Sequence, residues 1–213
     1  MTTFSGTDLV CARSERTVFA GLGFEIQAGG ALVLVGPNGS GKSSLLRLLA
    51  GLARPAAGTL IWGGEDVAED AEAHRSRLHY VGHADAVKPV LTVAENLSFW
   101  ASLRAGDNDL LASTAAALEA FGIGRLADVP GRFLSAGQRR RLALARVLAA
   151  PATLWLLDEP RTALDAEAQA MLDAVIARHR DGGGMVIMAL HGGDRPERTA
   201  TLDLSDFSAR GHA

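Results

Sequence analysis

The chain has 213 residues, a size that fits one compact domain or one domain with a small insert. Apolar residues make up 48% and charged residues 21%, an ordinary globular composition that excludes a disordered chain. Twenty-one basic against twenty-four acidic residues give a net charge of −3, which argues against a strongly basic nucleic-acid binder, and the single cysteine, Cys11, excludes an internal disulfide or a cysteine-built metal cluster and fits a reducing compartment.

The first readable element is 17–25 (TVFAGLGFE), whose loose alternation predicts a strand at a sheet edge. Residues 31–35 (ALVLV) are wholly apolar, the pattern of a strand buried on both faces of a parallel sheet, and they run into a glycine-rich turn. A helix is expected over 43–52, with Leu45, Leu46, Leu48 and Leu49 as its buried stripe. Residues 59–62 followed by Gly63 and Gly64 read as a strand and tight turn. From Thr92 to Gly122 the chain is rich in Ala, Leu and Glu at helical spacing, and 135–150 predicts another helix with an arginine-rich face. A strand returns at 153–157, a helix at 165–180 and a buried strand at 185–190. This order predicts an α/β fold with a largely parallel sheet. The core lobe is expected at about 1–83 and 151–213, with a helical subdomain at about 84–150. The longest apolar runs, at 31–35, 154–157 and 185–190, are far shorter than the roughly 18 residues of a spanning helix. The N-terminus carries charges where a signal peptide has its apolar stretch. The expectation is a cytosolic protein that meets a membrane only through a partner.

The chemistry centres on Gly36, Pro37, Asn38, Gly39, Ser40, Gly41, Lys42 and Ser43, a complete G-x-x-x-x-G-K-[ST] phosphate loop with Ser44 following in the first helical turn. The glycines let successive N–H groups point inward as an anion nest, and the helix directs its positive end at the same spot. Lys42 adds a full charge for the β- and γ-phosphates, and the Ser43 hydroxyl is a Mg²⁺ ligand. The nucleotide expected is ATP with Mg²⁺. Leu154-Trp155-Leu156-Leu157 ends in Asp158-Glu159. An acid at a strand end is commonly just solvated. Beside an intact phosphate loop, Asp158 reads as a Mg²⁺ ligand and Glu159 as the base that polarises the attacking water. His191, after the strand 185–190, reads either as a loop residue or as a side chain at the same sheet edge reaching the γ-phosphate.

Leu134-Ser135-Ala136-Gly137-Gln138, followed by three arginines, resembles the LSGGQ signature of ABC-type ATPases, and Asp158 to Asp165 (DEPRTALD) looks like that family's Walker B segment and D-loop. The likeness runs from about residue 8 to about 205. It implies a P-loop NTPase fold of the ABC type with a helical insert, and a head-to-tail, ATP-dependent homodimer with two nucleotides sandwiched between copies. Ser135, Gly137 and Gln138 of one copy, with Asp165 of the D-loop, would then face the nucleotide held by the other. Residues 11–19, 80–97 and 134–148 are similar to the ATP-binding subunits of cytochrome c maturation, or haem-export, systems. That likeness implies an integral membrane partner at the cytoplasmic face of the bacterial inner membrane. Rival readings are an ABC transporter ATPase for another cargo, a soluble ABC ATPase, and a nucleotide-gated assembly factor.

Three positions depart from the general pattern. Arg13 stands where an adenine-stacking aromatic is usual, and a guanidinium plane can also stack on a base. His83 stands at the Q-loop glutamine, where a neutral imidazole can meet the catalytic water or the metal. Ala136 replaces the first signature glycine. The segment 84–100 is expected to meet the membrane subunit, with Leu97 and Phe99 buried in the insert and 87–90 either buried or an exposed apolar groove. Arg139, Arg140 and Arg141 are read as a solvated helix face rather than a nucleic-acid patch.

Overall fold

A computed structural model describes residues 2–13, 16–103, 110–190, 196 and 198–208. In chain order the strands and helices are β1 (Thr3–Arg13), β2 (Arg16–Gln27), β3 (Ala31–Val35), α1 (Lys42–Leu49), β4 (Ala57–Trp62), β5 (Glu65–Asp66), α2 (Ala71–Ser76) and β6 (Leu78–Val81). There follow α3 (Val93–Ser102), α4 (Leu110–Ala120), α5 (Ala136–Ala149), β7 (Leu154–Asp158), α6 (Ala166–Asp181), β8 (Met185–Ala189) and β9 (Ala200–Asp203). The chain divides into two compact units, one of 1–80, 153–159 and 179–213, the other of 81–152 and 160–178.

The first unit holds two sheets. The larger has the order β6-β7-β8-β3-β9, and β3 pairs in parallel with both β8 and β9, as β7 does with β8. Every residue of β7 and β8 is buried, as near-continuous apolar runs in a covered parallel sheet must be. The smaller sheet has the order β2-β1-β4-β5, with β1 antiparallel to both neighbours. Residues 17–25 do form an edge strand, but the partner strand β1 and the antiparallel sheet around it were not foreseen. One apolar cluster joins the sheets to α1, including Phe4, Phe19, Leu45, Leu49, Leu156 and Ile187. Each fully buried side chain of this kind contributes about 1.5–3 kcal/mol.

The second unit is helical. Thr92 and Glu95 form a capping box at the start of α3, with Glu95 N donating to Thr92 Oγ1 at 3.1 Å and Thr92 N donating to Glu95 Oε2 at 2.8 Å. Buried Asn96 donates to the carbonyls of Lys88, Leu91 and Thr92 and accepts from Lys88 N, which fixes the loop before the helix. Helices α3, α4 and α5 pack on one another around Val93, Leu97, Leu118, Phe121 and Leu144. Leu97 is buried as expected, but Phe99 is not: it is 39% exposed, because the core-facing stripe of α3 runs through Val93, Leu97 and Ala101. Val90 is 75% exposed, which resolves its position in favour of the surface. No helix among the described residues is long and apolar enough to cross a membrane.

Candidate active site

The turn from β3 into α1 is the phosphate loop, in the strand–loop–helix setting that such a loop requires. Gly36, Gly39 and Gly41 have φ of 131°, 81° and 105°, the left-handed region that side chains avoid. At Gly41 a methyl would meet Val18 Cγ1 at 2.7 Å and the Phe19 ring at 3.0 Å, so both backbone and packing demand glycine there. Gly41 is also the N-cap of α1 and supplies no side-chain cap, which leaves the first-turn N–H groups for an anion. Buried Lys42 turns its ammonium into the loop, donating to Gly36 O at 2.6 Å and Pro37 O at 3.2 Å. Ser40 Oγ is buried and finds no partner among the described residues. An orphaned hydroxyl inside a glycine nest fits a site shaped for phosphate oxygens.

Ser43 Oγ donates to Asp158 Oδ1 at 3.1 Å, joining the helix after the loop to the end of β7. Asp158 is 2% exposed. Its charge reaches Tyr80, whose hydroxyl is pushed above the ordinary phenol range first by burial and then by that carboxylate. Two hard oxygen donors at this spacing suit Mg²⁺, which is held by one or two protein oxygens and completes its shell with water and phosphate. No group of three or more His, Cys, Asp or Glu residues gathers for an all-protein metal site among the described residues. Glu159 follows with φ of 49°, a conformation that costs a non-glycine residue about 1–3 kcal/mol and recurs at functional sites. Its N–H donates to Ala189 O at 3.1 Å, so the turn is tied to the end of β8. His191 lies outside the described residues; Ala189, two residues before it, is paired with Asp158.

Arg13 ends β1 opposite Arg16 and is exposed. Its charge is felt at the Cys11 thiol, which burial pushes up and Arg13 draws back down. Cys11 pairs with Phe19, one of the side chains under Gly41, which places Arg13 on the strand pair that supports the loop.

The signature segment belongs to the second unit. Ser135 is exposed and N-caps α5 in a capping box: Gln138 N donates to Ser135 Oγ at 3.2 Å and Ser135 N donates to Gln138 Oε1 at 2.9 Å. The positive end of a 14-residue helix thus opens on an exposed serine. A methyl at Gly137 would lie 2.9 Å from Ala163 O, a backbone atom that cannot swing away, whereas Ala136 is exposed and its methyl is accommodated. Asp165 accepts from Ala168 N at 2.9 Å and from Arg141 at 2.8 and 3.0 Å, so its carboxylate caps α6 and pairs with α5. His83 is exposed.

The arginine run is not a solvated face throughout. Arg140 is 3% exposed and bonded within the unit, because it shares a stripe of α5 with Leu144 and Val147, four and seven residues on. That spacing was the sequence signal that could have revealed it.

A family model described as ABC transporter matches residues 19–162. The chain belongs to the ABC transporter family. An ABC ATPase of this kind binds and hydrolyses ATP. Among its relatives, a "Cytochrome c biogenesis ATP-binding export protein CcmA" of Paramagnetospirillum magneticum is 58% identical over 97% of this chain and 95% of its own. Another protein of that name, from Rhodospirillum rubrum, is 61% identical over 88% of this chain and 79% of its own. A solved structure of a putative ABC transporter ATP-binding protein from Pyrococcus furiosus shares the fold, with a TM-score of 0.81 at 23% identity, over 97% of this chain and 100% of that one.

Proposed function

We propose that this chain is the ATP-hydrolysing subunit of a cytochrome c biogenesis export complex of the haem-export type. It works as a head-to-tail homodimer and drives an integral membrane partner at the cytoplasmic face of the bacterial inner membrane. The ATP chemistry rests above all on one observation, the Ser43–Asp158 bond at 3.1 Å with Glu159 next in the chain. The assignment to cytochrome c biogenesis rests on the relatives named above.

In this reading residues 36–44 cradle the triphosphate through the loop N–H groups, with Lys42 leaving its carbonyl partners for the β- and γ-phosphates. Ser43 and Asp158 hold Mg²⁺, with His83 as a further candidate, and that ion when bound supplies charge neutralisation of the phosphate oxygens. Glu159 accepts a proton from water as the water oxygen attacks the γ-phosphorus; the bond to the β,γ-bridging oxygen breaks and ADP leaves. His191 orients the γ-phosphate. The exposed Ser135 hydroxyl, Gly137 and Gln138 at the positive end of α5 face the γ-phosphate of the opposite copy, alongside Asp165. Arg13 stacks on the base. The exposed Val90 and Phe99 support a docking face for the membrane partner on the helical unit.

Glu159→Gln tests the reading in a strain that depends on this gene. ATP binding is retained, turnover falls by roughly 10²–10⁴, and c-type cytochromes fail to form. Normal cytochromes with a hydrolysis-dead variant would favour a nucleotide-gated assembly factor. Membrane proteins that co-purify with the chain from native membranes, if unrelated to cytochrome c assembly, would indicate another cargo.

A further inference from the structure

Arg140 is a buried guanidinium that the account above leaves without a role. Its NH1 group donates to Gly82 O at 2.9 Å and to Asp85 Oδ1 at 3.2 Å, and its Nε donates to Pro160 O at 3.4 Å. One planar cation therefore joins the segment 82–85, which carries His83, to the residue that follows Glu159. Burying a guanidinium is costly unless its fork is matched by several acceptors, and arginine alone has a rigid fork that can span them. The surrounding bonds repeat the theme. Arg161 donates to both oxygens of Asp173 at 2.7 and 2.9 Å, and Arg141 pairs with Asp165. The loop 160–165 is thus held at its start, just past its start and at its end by three arginine contacts.

We propose that Arg140 is a positioning residue for hydrolysis. It welds the turn after Glu159 to the His83 segment, so that a push on the stretch after His83 is carried to the chain holding the base. The proposal rests on the assignment of Glu159 as that base. The bonds of Arg140 given above run to Gly82, Asp85 and Pro160, so its loss is expected to alter turnover and leave nucleotide affinity alone. Lysine at this position keeps the charge for Asp85 but offers a single point donor, which cannot also reach Pro160 O in the guanidinium geometry.

The test is steady-state ATPase kinetics on the full chain, with thermal unfolding measured on each variant. Arg140→Gln and Arg140→Lys are expected to lower kcat by roughly 10–10²-fold, the scale of a small misplacement of a catalytic group, with KM for ATP within about twofold of wild type. Asp85→Asn leaves both carbonyl bonds in place and should stay within about threefold in kcat. Arg146→Gln, at a second buried arginine further along the same helix, should do likewise. The proposal is overturned if Arg140→Lys keeps kcat within twofold, if KM rises while kcat holds, or if Arg146→Gln causes the same loss. Should Arg140→Gln fail to fold, the Lys and Asp85 variants carry the test. Glu159→Gln assayed alongside separates the two claims. If it is dead while Arg140→Lys is active, the positioning role fails and the base stands; if it turns over normally, the base assignment fails.

Discussion

Gly41 is the position where the loop's geometry is most exacting. Gly41→Ala places a side chain at φ of 105°, which costs about 1–3 kcal/mol in backbone strain. The new methyl also lies 2.7 Å from Val18 Cγ1 and 3.0 Å from the Phe19 ring. Phe19 is fully buried in the core and cannot retreat, so overpacking adds about 1–3 kcal/mol. The lower bound of the sum is about 2 kcal/mol. It is divided between stability, if the loop stays as it is, and ATP affinity, if the loop relaxes and must be re-formed around phosphate. Urea unfolding without nucleotide measures the first share and an ATP titration the second, and together they should reach at least about 2 kcal/mol, roughly 30-fold in equilibrium terms. Gly39→Ala is the internal control: its φ is 81°, but nothing lies within 4 Å of the added methyl, so only the backbone term remains. If Gly41→Ala stays within about 0.5 kcal/mol of wild type in both measurements, the ordinary range for a neutral surface change, the nest argument is wrong.

Lys42→Ala removes the charge that the loop curls inward and should weaken ATP binding by about 1.5–3 kcal/mol, read by isothermal titration; unchanged affinity would remove Lys42 from the site. His83→Ala and His83→Gln should both lower Mg-ATPase turnover, Gln less than Ala, and activity equal to wild type in both would leave His83 without a role at the nucleotide. Burial pushes the imidazoles of His74 and His179 below their ordinary range. The unfolded chain therefore binds protons more readily, so their contribution to stability is present above about pH 6.5 and is lost as the pH falls below it, by up to about 1.4 kcal/mol per pH unit for each histidine. The urea midpoint should drop between pH 7.5 and 5.5. A flat profile would mean that His179, stacked on Trp155 at 3.7 Å, and His74, between Phe4 and Trp62, are not held neutral.

The strands of the parallel sheet were legible because burial on both faces writes itself as an apolar run, as in 31–35, 154–157 and 185–190. Helix α5 was legible because its leucines and alanines fall on one face and its arginines on the other. Strand β1 was hidden because its register shifts at Gly6, Leu9 and Cys11 and its Asp8 has φ of 50°, which breaks the period of two on which a strand is read. The short elements β6, β9 and α2 carry too few residues for any period to emerge. At the site, the phosphate loop and the acid pair are local in sequence and could be read directly. The ties of Arg140 to Gly82 and Pro160 span 58 and 20 residues, so the sequence offers only its place on the buried stripe of α5. The apolar look of 92–122 overstated burial: Leu103 and Leu111 are exposed, since a leucine-rich helix still has an outer face.

The most direct test is the mass of Glu159→Gln in solution with and without ATP. Two copies that close head-to-tail around a pair of nucleotides predict a monomer of 22.2 kDa without ATP and a species of twice that mass with it. The larger species should be lost when Ser135, at the exposed start of α5, is replaced by arginine. A protein that binds ATP at saturation yet keeps the monomer mass would contradict the account.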